Sequence, residues 1–367
     1  MKVALVHDWL TGMRGGERVL EQMIKLYPDA EIHTLLHIPG TVSETIEACP
    51  VHTTFIQRLP YAATKYRWYL PVFPWAVEEL SLSGYDLVIS SSHCVAKSVI
   101  TDSTTPHLCY CHTPMRYAWD QFDTYFSRER YGTVRYATIR AIIASLRRWD
   151  RATASRVDAF AANSAWVAGR IRRYYGRSAT VIPPPVDTEF FVPEENVKPE
   201  DYYLVVSALS PYKCNEVVFE AFNRLQRRLV VVGTGPDKER LEALAGPTVE
   251  MLGRVDGKEL RSLYQGCSGV ILAAVEDAGI VPVEVMACGR PPLVLARGGA
   301  SETIRDGVTG TLIQEQTPEA IIEAIDRSEA TPFNSEKIRA SALRYAPDRF
   351  LGRFSTFINT SLEKNLH

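Results

Sequence analysis

The chain has 367 residues, and at about 150 residues per domain this length calls for two hydrophobic cores rather than one. Its composition, 46% hydrophobic, 23% charged and 10% aromatic, excludes a disordered, collagen-like or coiled-coil chain. A formal net charge of -2 excludes the overall basic field of a general nucleic-acid binder, so no nucleic-acid partner is expected.

Residues 3–6 form a wholly apolar run, followed by Gly12, Gly15 and Gly16 and a helical pattern over 17–26, which reads as strand, glycine turn and helix. Further strands are expected at 86–90, 108–111 and 159–162. The segment from Arg128 to Arg177 holds twelve arginines against three acids, with Tyr131, Tyr136, Ile139, Ile142, Ile143, Leu146 and Trp149 interleaved. Two readings stay open: an amphipathic surface for anionic lipid or a lipid-linked acceptor, or a solvated helical face packed on its apolar side.

Pro183, Pro184 and Pro185 then precede a charged stretch reaching Asp201, which reads as an interdomain linker. The same grammar restarts with strands expected at 203–206, 229–232, 249–252, 269–274 and 292–296. Strands apolar on both faces and alternating with helices specify parallel sheets covered on both sides. The expected fold is therefore α/β, with two doubly wound, Rossmann-like domains (1–187 and 188–345) facing a cleft. A terminal helix over 346–367 carries Phe350, Phe354 and Ile358 at spacing four, an apolar face that must be buried.

Seven cysteines stand without any Cys-x-x-Cys pair and mostly inside apolar runs, which argues against a zinc site and a disulfide framework. The start of the chain turns polar too early for a signal-peptide core, and no apolar stretch approaches the roughly 18 residues of a membrane span. A reduced, cytoplasmic location is expected, with peripheral contact to the inner face of the membrane through the arginine-rich segment.

The strongest chemical constellation follows the strand at 269–274. Glu276 and Glu284 are separated by seven residues across a loop-to-helix junction, with Asp277, Ala278, Gly279, Ile280 and Val281 between them and Pro282 suited to the first helical turn. Free N-H groups at such a helix start favour an anionic ligand, and two carboxylates there could hold two sets of sugar hydroxyls. The bland alternative is a Glu284 that complements the helix dipole and a solvated Glu276.

This stretch resembles the Glu, seven residues, Glu signature of the retaining nucleotide-sugar glycosyltransferases of family 4, and the resemblance runs over essentially the whole chain. It takes in His7, Asp8 and Trp9, the run from Gly15 to Arg18, that from Cys111 to Tyr117, and Asn163 with Ser164. In the second half it takes in Pro211, Tyr212 and Lys213, the run from Gly233 to Pro236, Gly253 with Arg254, and the run from Gly298 to Thr303. It implies the two-domain GT-B architecture, with the acceptor on the first domain, the nucleotide-sugar on the second, and the terminal helix packing back on the first.

By the same resemblance Glu276 and the backbone of Asp277, Ala278 and Gly279 bind the donor sugar, Glu284 binds the ribose, and Arg254 and Val255 lie against the base. Lys213 is the expected cation for the diphosphate leaving group, where charge grows in the transition state. His112 contacts the donor sugar at the reacting centre, Gly15 and Gly16 let backbone approach the phosphates, and Asp8 is either an acceptor-side residue or a turn residue. Retention is expected to proceed by attack on the face from which the diphosphate leaves, with no metal and no other cofactor.

The run from Pro114 to Asp120 is similar to that of O-antigen mannosyltransferases, which implies a hexose transfer, mannose from GDP-mannose, to a sugar acceptor carried on lipid during polysaccharide assembly. A UDP-hexose transferase and a non-catalytic nucleotide-sugar-binding partner are the alternatives. Three positions depart from the family pattern: Ala208 for an arginine, Cys214 for a basic residue and Ala278 for an aromatic one.

Overall fold

The structure is a computed structural model, and it describes residues 1–194 and 199–365. The chain divides into two compact units, one made of Met1–Pro185 with Phe350–His367 and the other of Val186–Arg349.

The first unit holds seven parallel strands: β1 (Val3–His7), β2 (Glu31–Thr34), β3 (Val51–Thr53), β4 (Leu87–Ser92), β5 (His107–Cys111), β6 (Ala159–Ala162) and β7 (Ala179–Val181). Their order is β3-β2-β1-β4-β5-β6-β7. Every residue of β1, β4 and β5 is buried, as expected of central strands covered on both faces. The second unit holds six: β8 (Tyr202–Val206), β9 (Arg228–Val232), β10 (Val249–Gly253), β11 (Gly269–Leu272), β12 (Pro292–Leu295) and β13 (Thr311–Ile313), in the order β10-β9-β8-β11-β12-β13. Both sheets are parallel and doubly wound, and each reverses its strand order once, between β1 and β4 and between β8 and β11. In open α/β sheets that reversal is where ligands bind, beyond the carboxyl ends of the strands.

Helices cover the sheets for readable reasons. In the helix Gly15–Leu26, Val19, Leu20, Met23 and Ile24 form one buried stripe. The helix Ala165–Tyr175 starts where the Ser164 hydroxyl accepts from Val167 N at 3.0 Å, and it ends on Gly176, left-handed at φ 69°. On the final helix, Pro347–Asn365, Phe350 and Phe354 stack at 5.5 Å and meet Tyr110 of β5 edge-on at 5.7 and 6.0 Å. Each buried Phe of this kind contributes roughly 1.5–3 kcal/mol of hydrophobic stabilisation.

The arginine-rich segment is the helix Arg128–Thr153, broken at Gly132 (φ 71°), followed by β6 and the helix Ala165–Tyr175. Ile143 and Leu146 are buried in the core of the first unit, while Arg135, Arg140, Arg148 and Arg151 are exposed. Nothing of the Arg130 side chain belongs to the described residues. A buried ion pair anchors the helix: Lys97 Nζ lies 2.9 Å from Asp150, whose carboxylate also accepts from Trp119 Nε1 at 2.7 Å and from the Tyr175 hydroxyl at 3.0 Å. No helix among the described residues is long and apolar enough to cross a membrane, and all seven cysteines are free thiols.

Of the stretch read as a linker, Pro183, Pro184 and Pro185 belong to the first unit, and the chain from Val186 onward belongs to the second. Val186 and Phe191 are buried, and Asp187 accepts from Phe190 N at 2.9 Å to form a tight turn. Within that stretch, 195–198 lie outside the described residues.

Candidate active site

In the first unit the strand-order reversal gathers histidines. His7 ends β1, His93 follows β4 and His112 follows β5. The Ser91 hydroxyl joins two of them, 3.1 Å from His7 Nδ1 and 2.8 Å from His112 Nε2. Asn163 Nδ2 donates to the His112 carbonyl at 2.8 Å, and buried Arg170 ties the following loop by donating to Thr113 Oγ1 and, at 2.5 Å, to Asp120. Burial, then the neighbouring His93 and His7, drives the His112 pKa down to about 3, so its ring is neutral at physiological pH.

Gly16 lies over this cluster: a Cβ built there would sit 3.4 Å from His7 Cε1 and 3.8 Å from His112 Nε2. Gly15 begins the same helix, and Glu17 closes its first turn by accepting from Arg14 N at 3.0 Å, with its other oxygen 3.8 Å from His7 Nε2.

Asp8 is a correction to the acceptor-side reading. It is fully buried, and its two oxygens accept from the backbone N-H groups of His93, Cys94, Val95 and Ala96 at 2.6, 2.9, 2.6 and 2.8 Å. His93 Nδ1 lies 3.1 Å away as well. Burial alone would raise its pKa, but His93 and these amides hold it below the usual value. A carboxylate so filled positions the turn after β4 and offers no oxygen to an acceptor. His93, Ser91 and Glu17 are the residues that sequence reasoning left without a role; a histidine directly after an apolar strand was the available signal for His93.

In the second unit the reversal between β8 and β11 is spanned by an ion pair. Lys213 stands on the 3-10 turn Pro211–Lys213 that follows β8, and its ammonium meets the carboxylate of Glu276, which follows β11. Cys214, left-handed at φ 51°, turns the chain from there into the helix Asn215–Leu225.

Glycines make the loops converge. Gly233 and Gly235 pass so close to the Ser207 and Leu209 carbonyls that a Cβ would lie 1.8 and 2.1 Å from those oxygens. Gly298, at φ 104°, pairs with Glu276, and Gly299 N donates to the Glu276 carbonyl at 2.7 Å. The backbone of Glu276 is thereby fixed independently of its side chain.

Asp277 is buried, Ala278 half-buried, and Gly279 precedes the helix Ile280–Ala287, packed so closely on Thr303 that a Cβ would lie 2.6 Å from its methyl carbon. Ile280 and Val281 supply the first-turn amides, and Pro282 removes the next one. Glu284 is buried in this helix and accepts from the Tyr264 hydroxyl at 2.9 Å, while Glu276, paired with Lys213 and 12% exposed, is not the solvated loop residue of the bland alternative. Arg254, exposed, and Val255, half-buried, follow the carboxyl end of β10. Thus Lys213, Glu276 and the loop to Val281 share one end of the second sheet, and Gly16 and His112 share one end of the first.

Residues 13–190 match the family model described as glycosyltransferase family 4, and residues 186–346 match that described as glycosyl transferases group 1. The chain belongs to the family 4 glycosyltransferases. Among curated relatives, this glycosyltransferase is 28% identical over 220 residues to a GDP-mannose-dependent alpha-(1-6)-phosphatidylinositol monomannoside mannosyltransferase of Mycolicibacterium smegmatis, covering 52% of this chain and 58% of the relative. It is 30% identical over 224 residues to a D-inositol 3-phosphate glycosyltransferase of Geodermatophilus obscurus, covering 52% and 49%. The chain thus spans about half the length of the curated relatives it matches. Solved structures share its GT-B fold across nearly the full length: the sucrose-phosphate synthase of Thermosynechococcus elongatus (TM-score 0.76, 16% identity, 99% of this chain and 100% of that one) and HepE of Anabaena in complex with UDP-glucose (0.73, 19%, 98% and 100%).

Proposed function

We propose that the protein is a retaining glycosyltransferase that moves a hexose, mannose from GDP-mannose, to a lipid-linked sugar acceptor in polysaccharide assembly. The observation that carries this reading is the Lys213–Glu276 ion pair at the strand-order reversal of the second unit, beside the start of the helix that bears Glu284. Without donor the two charges satisfy each other. An incoming nucleotide-sugar divides them: the diphosphate takes the ammonium, and the sugar hydroxyls take the carboxylate and the amides of Asp277, Ala278 and Gly279. As the glycosidic bond breaks, charge grows on the diphosphate, and Lys213 with the amides of Ile280 and Val281 stabilises it most in the transition state.

Glu284 accepts from the ribose hydroxyls, and Arg254 and Val255 flank the base. In the first unit a neutral His112 acts as a hydrogen-bonding group toward the donor sugar, not as a proton source, and Gly15 and Gly16 leave room for phosphate. The acceptor hydroxyl attacks on the face the diphosphate leaves, and its proton passes to the departing phosphate, so no protein base is required. Because Lys213 supplies the positive charge, turnover is expected to persist in chelator. The named acceptor of the mycobacterial relative is itself a lipid, and the exposed Arg140, Arg148 and Arg151 suit an anionic membrane surface. Reversal of these three charges should abolish binding to anionic vesicles; unchanged binding removes the membrane from the reading.

A thermal-shift panel of GDP, UDP and ADP with their sugar conjugates tests the donor. At about 100 times its dissociation constant a ligand adds roughly 2.7 kcal/mol of stability. The expected result is a shift selective for GDP and GDP-mannose that is lost in Glu284→Ala. A UDP-selective shift replaces the donor, and binding without any turnover makes the chain a nucleotide-sugar-binding partner.

A further inference from the structure

A second cluster of ligating side chains lies apart from the histidines at the carboxyl ends of β1, β4 and β5. His33 on β2 and His52 on β3 are register partners, so parallel pairing sets both imidazoles on one face of the sheet, with ring centroids 4.7 Å apart and planes 25° apart. Glu31, two residues before His33, shares that face. Its Oε2 accepts from His52 Nε2 at 2.8 Å and from the Tyr85 hydroxyl at 2.7 Å, and that hydroxyl lies 2.9 Å from His33 Nε2. One nitrogen from each imidazole and one Glu31 oxygen all lie within 4.8 Å of one another, the one such trio among the described residues. The trio opens onto a surface hollow of about 440 Å3 that Lys2 and Tyr85, which precede β1 and β4, also line. His33 is 4% exposed, with its Nε2 turned to the Tyr85 hydroxyl that also meets Glu31.

We propose that Glu31, His33 and His52 form a binding site for a divalent ion of the zinc class. Two imidazoles and one carboxylate are the donor set of such ions, whereas magnesium and calcium prefer all-oxygen cages. A tetrahedral ion with bonds of about 2.0–2.1 Å holds its ligand atoms about 3.4 Å apart, so the trio closes on it by small side-chain rotations. Lys2 Nζ sits 3.2 Å from Glu31 Oε1, which leaves Oε2 as the ligating oxygen. The Tyr85 hydroxyl, now bridging His33 and Glu31, gives way to the ion and becomes its neighbour or its fourth ligand. The ion fastens β3, a three-residue edge strand paired only to β2, to the rest of the sheet. It takes no part in sugar transfer.

The test is calorimetric titration and thermal shift of the chelator-stripped protein with zinc chloride, with magnesium chloride as control, and visible absorption after cobalt(II) loading. One zinc per chain, a raised Tm and a four-coordinate cobalt spectrum are expected. His52 is half exposed, so His52→Ala folds; it should weaken zinc binding by more than the roughly 10- to 100-fold that loss of an outer-shell partner costs. Its turnover in chelator should equal that of the unaltered protein. Zinc binding of unchanged affinity in His52→Ala, or a zinc shift no larger than that with magnesium, overturns the proposal.

Discussion

Lys213 and Glu276, 63 positions apart, neutralise each other where the second sheet reverses its strand order, with side chains only 14% and 12% exposed. Removing one deprives the other of its counter-charge in a poorly solvated place, whereas removing both removes the problem. In the absence of nucleotide, Lys213→Ala and Glu276→Ala should each lower the urea midpoint more than the double variant does. In turnover, Lys213→Ala should cost about 10²–10³-fold in kcat, the range seen when one preorganised group facing transition-state charge is lost. A Lys213→Ala enzyme with normal kcat would remove this residue from the chemistry.

Histidines with depressed pKa values, among them buried His107 and half-buried His112, predict how stability depends on pH. His107 donates from Nδ1 to the Arg156 carbonyl at 3.0 Å and faces the Ser90 hydroxyl at 2.8 Å, and burial holds its pKa at about 4; His112 is held at about 3. Unfolded, both return to about 6.5 and take up protons that the folded state refuses. Stability should therefore fall as pH drops below about 6.5, by roughly 1 kcal/mol per pH unit for each histidine. Carboxylates with depressed values, such as Asp8 and Glu17, add to the loss only below about pH 4.5. Urea melts at pH 7, 6 and 5 give the slope; a flat profile between 6.5 and 5 contradicts it.

Two glycines should respond oppositely to a methyl group. Gly298→Ala places a Cβ 2.6 Å from the Glu276 carbonyl oxygen at φ 104°, and should cost about 1–3 kcal/mol and disturb donor binding. Gly16 lies within a helix, where alanine gains about 1 kcal/mol at best, and its Cβ meets only van der Waals contacts. Gly16→Ala should keep or raise Tm while turnover falls, because the methyl fills the space above His7 and His112. Full activity in Gly16→Ala would show that this space is not used.

Asp8 should behave as a structural residue. Asp8→Ala strands four buried amides and should cost about 3 kcal/mol or more; Asp8→Asn keeps one acceptor oxygen and should cost less. If Asp8→Asn instead lost turnover at unchanged Tm, the carboxylate would have a direct catalytic task.

What the sequence revealed divides along burial. Strands β1, β4, β5, β6, β8, β9, β11 and β12 are legible because solvent touches few of their residues, which leaves short apolar runs; β10 has no buried residue and is legible instead through its apolar Val249, Met251 and Leu252. Strands β2 and β3 went unread: Glu31 and His33, like His52, spend strand positions on polar side chains that pair with each other at the sheet edge, and three or four residues show no period. β7 and β13, of three residues each, are unread for the same reason. In the site, Glu276 and Glu284 were visible as a local spacing, and Lys213 through family resemblance. The role of Asp8 was hidden because its partners are backbone amides more than 80 positions away, which no side-chain pattern announces.

The Phe350 and Phe354 stack on Tyr110 has a consequence for biosynthesis. The first unit draws its last core element from residues translated after all of the second unit. Domains commonly fold as they leave the ribosome, amino-terminal first. Here the amino-terminal domain emerges first but is completed last, with an apolar cleft beside β5 uncovered until the 19-residue helix Pro347–Asn365 is made. During that interval the apolar cleft stands open to solvent, and premature termination before Phe350 yields a protein whose second unit is synthesised in full while the first, begun earlier, lacks its last core element.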